Sequence, residues 1–272
     1  MSRTVVVSRV DKYLSPGYGV AVCVLLVGLL AGCRQDTVDP YVILEQRCKA
    51  AGYADSLRPI ETSFVLWSVL DTTGNVVGKG RVWTKGDRLW RMEAIFKYEA
   101  DIIGDNGNVF WTAKEFGRVD TVRDSLLLGE RARDIAHGQG RHMERDSDEF
   151  TLDYLGLGEV EGHPCHLIRE STTLAGSTIV YYIDTSNYYL RRTDEVYDSG
   201  EMDSTIRSGF RQVDGVVRAS FARGSAGPFK PYTTLREEMF IANATIDDRL
   251  FDPTNQVVTD EQYGGEIFIR DE

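Results

Sequence analysis

The densest group of side chains that could bind a metal is a His-Pro-Cys-His run at residues 163–166. Imidazole nitrogens and a thiolate are donors that zinc prefers in proteins. However, a proline followed by a strand directs Cys165 and His166 to opposite faces, and the sequence holds no second cluster of donors. We therefore expect no metal site. The aspartates within residues 247–252 do not have the spacing of a calcium loop either.

Catalytic motifs do not emerge from the sequence. It contains no Gly-x-Ser-x-Gly nucleophile elbow, no His-Glu-x-x-His motif and no glycine-rich phosphate loop. Only four histidines are present, and none is paired with an evident nucleophile. An enzyme is accordingly the weaker class, and we expect no cofactor.

One of the two cysteines near the N-terminus, Cys33, has a clear chemical assignment. Basic residues precede an apolar run at residues 20–31, which is too short to span a bilayer and is typical of a secretory signal. The run ends in Leu-Ala-Gly-Cys at residues 30–33, which resembles the bacterial lipobox. This motif predicts cleavage between Gly32 and Cys33 and attachment of lipid to the Cys33 thiol. Arg34 follows the cysteine, and the absence of aspartate there favours the periplasmic face of the outer membrane.

The charge balance limits the partners. The chain has 31 Lys and Arg against 42 Asp and Glu, giving a net charge of −11. Such a surface repels phosphate backbones and anionic head groups, so nucleic acid is excluded as a partner. Membrane attachment must then come from the lipid rather than from a basic patch. We expect a monomer.

No linker divides the remaining chain. We predict a signal peptide at residues 1–32, a polar tether at 33–40, one domain at 41–255 and an acidic tail at 256–272. After cleavage, Cys48 and Cys165 are the remaining thiols. The sequence leaves open whether they form a disulfide or stay as two separate thiols.

Two helices and a series of antiparallel strands are predicted for the domain. The helices cover about residues 41–51, stopped by Gly52, and about 122–136. Alternation divides the strand at residues 89–97 into an apolar face with Trp90 and Met92 and a polar face, so this strand is predicted to be half-buried. The strands at residues 64–70 and 179–183 are apolar on both faces and should be covered on both.

About eleven strands follow from the turn signals, and an open sheet of that size curls on itself. The predicted fold is therefore mainly β: a curved, unclosed antiparallel β-barrel with helices over its concave side.

Eight short segments, taken in order, resemble the LolA/LolB superfamily of lipoprotein carriers and receptors. They lie at residues 80–85, 89–93, 105–111, 160–162, 181–184, 189–192, 213–216 and 246–253. The resemblance implies an unclosed barrel whose apolar concave side, lidded by helices, shelters acyl chains from water. One departure matters, because LolA-type carriers have an Arg-Pro after the tryptophan strand whose arginine helps to hold the lid closed. Here Gly86 and Asp87 take that place.

From this resemblance and the apolar stripes we predict a ligand cavity. Its proposed lining residues are Phe64, Leu66, Trp90, Met92, Phe96, Leu126 and Leu127, with the second helix as part of the lid. The predicted function is that of a membrane-anchored lipoprotein that binds acyl chains or lipoproteins. The alternatives are a non-catalytic envelope interaction or sensing module on the same fold and, more weakly, a hydrolase acting on lipids.

Overall fold

Two α-helices and thirteen strands make up the described part of the chain, which in this computed structural model comprises residues 38–53, 60–96, 100–114, 119–224 and 234–254. The predicted signal peptide with Gly32 and Cys33, and the acidic tail at residues 256–272, lie outside these ranges. Neither helix is long and apolar enough to cross a membrane within the residues described.

Helix α1 spans Pro40–Ala50, one residue away from its predicted bounds. Asp39 caps its start by accepting a hydrogen bond from the Tyr41 amide at 3.0 Å, and Pro40 occupies a first-turn position where no amide proton is needed. Gly52 ends the helix with a φ of +84°. A Cβ there would lie 2.3 Å from the Gly215 carbonyl oxygen, so only glycine allows this close approach to the sheet.

Helix α2 spans Ser125–Gly138, close to the predicted second helix. The Asp124 carboxylate caps it by accepting hydrogen bonds from the Leu126 and Leu127 amides at 2.9 and 3.1 Å. The cap places consecutive leucines in the first turn of the helix.

The strands form one antiparallel sheet with the order β6-β5-β4-β3-β2-β1-β13-β12-β11-β10-β9-β8-β7. Their number is two higher than the sequence predicts. Their bounds are β1 Thr62–Leu70, β2 Val76–Lys85, β3 Leu89–Phe96, β4 Ala100–Asn106, β5 Phe110–Lys114, β6 Val119–Thr121, β7 Phe150–Val160, β8 His163–Thr172, β9 Ser177–Asp184, β10 Leu190–Tyr197, β11 Met202–Val213, β12 Val216–Gly224 and β13 Thr234–Ala242.

The sheet is open, because β6 and β7 stand at its two edges. The last strand, β13, pairs with the first, β1, and so joins the two halves of the chain in the middle of the sheet. The predicted fold class, an unclosed and curved antiparallel sheet with two helices, is confirmed.

Contacts of α2 reveal the curvature of the sheet. Arg131 is ion-paired with Asp105 on β4, and Arg133 with Glu195 on β10, each at 2.8 Å. These strands are seven steps apart in the sheet, which corresponds to roughly 34 Å if the sheet were flat. Because the two arginines are only about 3 Å apart along the helix axis, the sheet must curl around α2. The helix therefore lies on the concave side.

The two sides of the sheet are covered by different parts of the chain. We call the concave side, which faces α1 and α2, the helix face. On the other side, which we call the tail face, residues 244–251 cover part of the surface formed by β1–β5. On the tail face, Phe64 and Trp83 pack fully buried against Leu250 and Phe251, with ring centroids of Phe64 and Trp83 5.4 Å apart.

Strand β3 departs from its predicted half-burial. Its polar side chains Arg91 and Glu93, expected to face solvent, are 0% and 2% exposed on the tail face. Glu93 bridges two arginines: it accepts from Arg81 at 2.6 Å and from Arg91 at 2.9 Å. Arg91 also donates to the Leu250 carbonyl at 2.7 Å. The alternation of β3 is as predicted, but residues 244–251 cover its polar side. By contrast, β1 and β9 have no exposed residue, as predicted.

Candidate ligand-binding cavity

The apolar side of β3 borders a cavity at Trp90 and Met92, whereas Ala94 further along the strand is buried in a packed cluster with Val69. Trp90 and Met92 are only partly buried on the helix face, and they line a cavity of about 520 Å³ together with Leu126 and Leu127 of α2. The cavity volume lies within the range of small-molecule sites. Both leucines are 40% exposed, which is unusual for apolar residues on a helix that lies over a sheet. The structure therefore places four of the seven predicted lining residues around one cavity.

The other three predicted residues lie elsewhere. Phe96 is on the helix face but packs against the cluster of Val69 and Ala94 and does not line this cavity. Phe64 and Leu66 belong to the tail-face core, so their assignment to the cavity lining is corrected. The reason is the alternation of β1: Val65 and Trp67 point to the helix face, and their neighbours point away from it.

Ion pairs fix α2 over the concave side. Arg131 reaches Asp105 and also donates to the Arg88 carbonyl at 2.7 Å, while its guanidinium lies 5.6 Å from the Trp90 ring centroid. Arg133 donates to Ser177 at 2.7 Å in addition to its ion pair with Glu195. The helix is thus held by both halves of the curled sheet, with the cavity on one side of it.

The turn at which the sequence departs from LolA-type carriers also holds the helix. Asp87 follows β2 and accepts a hydrogen bond from the side chain of Gln139, which ends α2, at 2.5 Å. A carboxylate therefore ties the end of this helix to the β2–β3 turn, where the resemblance leads one to expect an Arg-Pro pair in place of Gly86 and Asp87.

A group of histidines lies where α2 ends. His137 Nε2 is 2.8 Å from the buried Glu170, which also accepts from the Tyr181 hydroxyl at 3.1 Å. The ring of His142, in the turn after α2, contacts that of His137 in a tilted arrangement, with the ring centroids 4.5 Å apart. Burial, followed by the charge of His137, lowers the pKa of His142 to about 4. The protein thus favours the neutral form of His142.

Two further cavities continue along the concave side between α1 and β10–β13. Their volumes are about 360 and 780 Å³, and both are lined by Arg47, Arg207 and Arg218. The apolar lining of the smaller one includes Val65, Trp67, Val82 and Leu235. We did not predict these residues. The sequence signal for them is Gly80, a glycine within β2 that pairs with Trp67. A Cβ at Gly80 would lie 1.5 Å from the Trp67 indole, so the glycine leaves room for the ring.

The charged lining residues of these cavities differ in their partners. Arg218 is ion-paired with Glu237, and Arg133 with Glu195. Burial raises the pKa of Asp134, although the charges of Arg133 and Arg131 oppose this effect. Burial, followed by the charge of Arg47, lowers the pKa of Arg207 to about 10.

The two cysteines of the domain are separate thiols, which resolves the alternatives left open by the sequence. Cys48 lines the cavity of about 780 Å³, and Cys165 is buried in β8, where burial raises the pKa of its thiol. Among the described residues, no three His, Cys, Asp or Glu side chains are grouped so as to hold a metal ion.

The fold and the site together define a class of protein: an open, curled β-sheet with helices and adjoining cavities on its concave side. No protein-family model matches the sequence, and no curated protein matches it. Solved structures do share the fold, which is LolA-like. Similar ones are a structure described as an outer membrane lipoprotein-sorting protein domain from Vibrio parahaemolyticus, a DUF1329 family protein from Desulfovibrio piger and a LolA superfamily protein from Nitrosomonas europaea.

These three likenesses extend over most of each chain. The alignments cover 78%, 79% and 79% of this chain and 96%, 98% and 97% of the other, with TM-scores of 0.51, 0.53 and 0.51. The sequence identities are 10%, 12% and 13%. At such identities the likeness shows the fold, and the cavity has to be interpreted from its own residues.

Proposed function

We propose that the protein is a lipid-anchored carrier or acceptor that binds acyl chains, free or on lipoproteins, in the cavity between α2 and the sheet. The observation on which this rests is the inverted burial of β3. Its charged side chains are fully buried, while Trp90 and Met92 are left partly exposed beneath Leu126 and Leu127. Each methylene of an acyl chain gains about 0.8 kcal/mol on leaving water, so an unfilled apolar wall of this kind suits such a ligand.

The shared fold supports the same proposal. One structure with this fold is described as a lipoprotein-sorting protein domain, and a sheet that encloses cavities can accommodate a chain without refolding. An interaction or sensing module would not need unfilled apolar volume. We therefore place acyl binding ahead of that alternative.

The test compares two adjacent leucines of α2. Leu127 and Leu128 are 40% and 42% exposed, but only Leu127 lines the cavity. We expect Leu127→Glu to abolish saturable binding of a fluorescent fatty-acyl probe, because it places a carboxylate against the chain. Leu128→Glu should bind like the wild type. Equal effects of both variants, or no binding and no co-purified lipid in native mass spectrometry of the wild type, would refute the proposal.

The anchor is a separate part of the proposal. We propose that the mature protein begins at Cys33, carries lipid there and resides on the periplasmic face of the outer membrane. Mass spectrometry of the mature N-terminus should show a lipidated Cys33, and Cys33→Ala should release the protein from membranes. An unmodified Cys33 or a different first residue would rule this out.

A further inference from the structure

Two arginines on the concave side face the adjoining cavities without a carboxylate partner. Arg47 lies on α1 and Arg207 on β11, and both line the cavities of about 360 and 780 Å³. Arg207 donates a hydrogen bond to the Thr193 hydroxyl at 3.1 Å. Within the described ranges, neither arginine makes an ion pair, in contrast to the neighbouring Arg133 and Arg218.

This arrangement is costly for the empty protein. A guanidinium that is withdrawn from water needs an anionic or hydrogen-bonding partner, and two like charges near each other increase that need. The lowered pKa of Arg207 has these two causes, in that order. Asp134, Glu195 and Glu237 line the same cavities. However, Glu195 pairs with Arg133 and Glu237 with Arg218, and none of the described carboxylates forms an ion pair with Arg47 or Arg207.

The surroundings of the arginines indicate the rest of the ligand. Val65, Trp67, Val82 and Leu235 line the same cavity of about 360 Å³. A ligand that satisfies both parts of this lining has an anionic group beside a hydrocarbon chain. Guanidinium groups suit carboxylates and phosphates, because their donors match two oxygens at once.

We propose that Arg47 and Arg207 bind the anionic head group, a carboxylate or a phosphate, of an amphiphile whose acyl chain lies against Val65, Trp67 and Val82. This inference rests on the proposed function and extends it from the cavity under Leu126 and Leu127 to the adjoining cavity of about 360 Å³. It adds that the preferred ligands are lipids with one anionic head group. Neutral lipids with an acyl chain of the same length should bind more weakly.

Calorimetric titration of the purified protein with hexadecanoate, hexadecyl phosphate and hexadecanol tests the proposal. We expect the two anions to bind about tenfold more tightly than the alcohol. Arg47→Gln and Arg207→Gln should each remove most of this preference and leave the affinity for hexadecanol unchanged. Arg207→Lys should retain part of it, because it keeps the charge. Arg223→Gln is the matched control, since Arg223 pairs with Glu161 on the surface.

The possible outcomes separate the two proposals. Equal affinities for the alcohol and the anions, unaffected by the arginine variants, would overturn the head-group assignment and leave acyl binding intact. Failure of all three amphiphiles to bind would overturn both. If inorganic phosphate or acetate bound as tightly as the amphiphiles, the arginines would form a site for small anions. The assignment of an amphiphile as the ligand would then be overturned. Thermal unfolding of each variant verifies folding, and Arg47→Gln, on a partly exposed helix position, provides the test if Arg207→Gln does not fold.

Discussion

The burial of the two faces of β3 is the reverse of what their polarity predicts. On the tail face, Arg91 and Glu93 are sealed under residues 244–251, where Arg91 donates hydrogen bonds to Glu93 and to the Leu250 carbonyl. On the helix face, Trp90 and Met92 keep partial exposure toward a cavity. The tail face of β3 is sealed along its length, whereas the helix face combines a packed part at Ala94 with unfilled apolar volume at Trp90 and Met92. Burial here follows what covers a face and not only the hydropathy of its side chains.

The largest expected effect comes from removing the carboxylate of the tail-face cluster. Glu93→Gln leaves Arg81 and Arg91 buried beside each other without their shared anion, and we expect a loss of about 3–5 kcal/mol in the free energy of unfolding. Urea denaturation measures it. Arg169→Gln, which breaks an exposed pair with Asp153, is the control and should cost at most about 1 kcal/mol. Similar losses for both variants would mean that the buried cluster does not stabilise the protein.

A pair of aromatic truncations tests the division of roles directly. Phe64→Ala should destabilise the protein by about 3–5 kcal/mol because it empties a packed core. Trp90→Ala should cost less than half as much, since its ring already borders a cavity, but should strongly weaken binding of an acyl probe. Denaturation and probe titration of both variants provide the data. If Trp90→Ala were the more destabilising variant, the helix face would be a packed core.

The smallest effect concerns pH at the end of α2. The folded protein holds the pKa of His142 at about 4, below its ordinary value of 6.5, so folding favours the neutral ring. The contribution of the neutral His142 ring to the free energy of unfolding is complete above pH 6.5. As the pH falls toward 4, this contribution is lost, which lowers the free energy of unfolding by on the order of 2 kcal/mol. Besides His137, the charges of Glu170 and Arg47 act on this ring.

His142→Phe should remove this part of the pH dependence. The wild type should lose more stability than the variant between pH 7 and pH 4, as measured by urea denaturation at each pH. Parallel curves for the two proteins would show that His142 is not held neutral by the fold.

Local patterns predicted the elements of this fold well. Asp39, Pro40 and Gly52 determine the bounds of α1 through contacts within a few residues, and the turns at residues 71–75, 85–87 and 105–108 connect strands as expected. The cavity was predicted only in part. Trp90, Met92, Leu126 and Leu127 were predicted from the family resemblance together with local apolar patterns. Arg47 and Arg207, in contrast, come together from elements 160 positions apart in the sequence.

The sequence by itself determined that β3 has two chemically different faces, because side chains on a strand alternate regardless of what surrounds them. Only the tertiary structure decided which face is sealed. The cover of the polar face comes from a segment whose contact from Arg91 to the Leu250 carbonyl spans 159 residues, and no local pattern encodes such a partner. The same holds for the concave side, where the curvature of a thirteen-strand sheet brings α1, α2 and distant strands around a shared series of cavities.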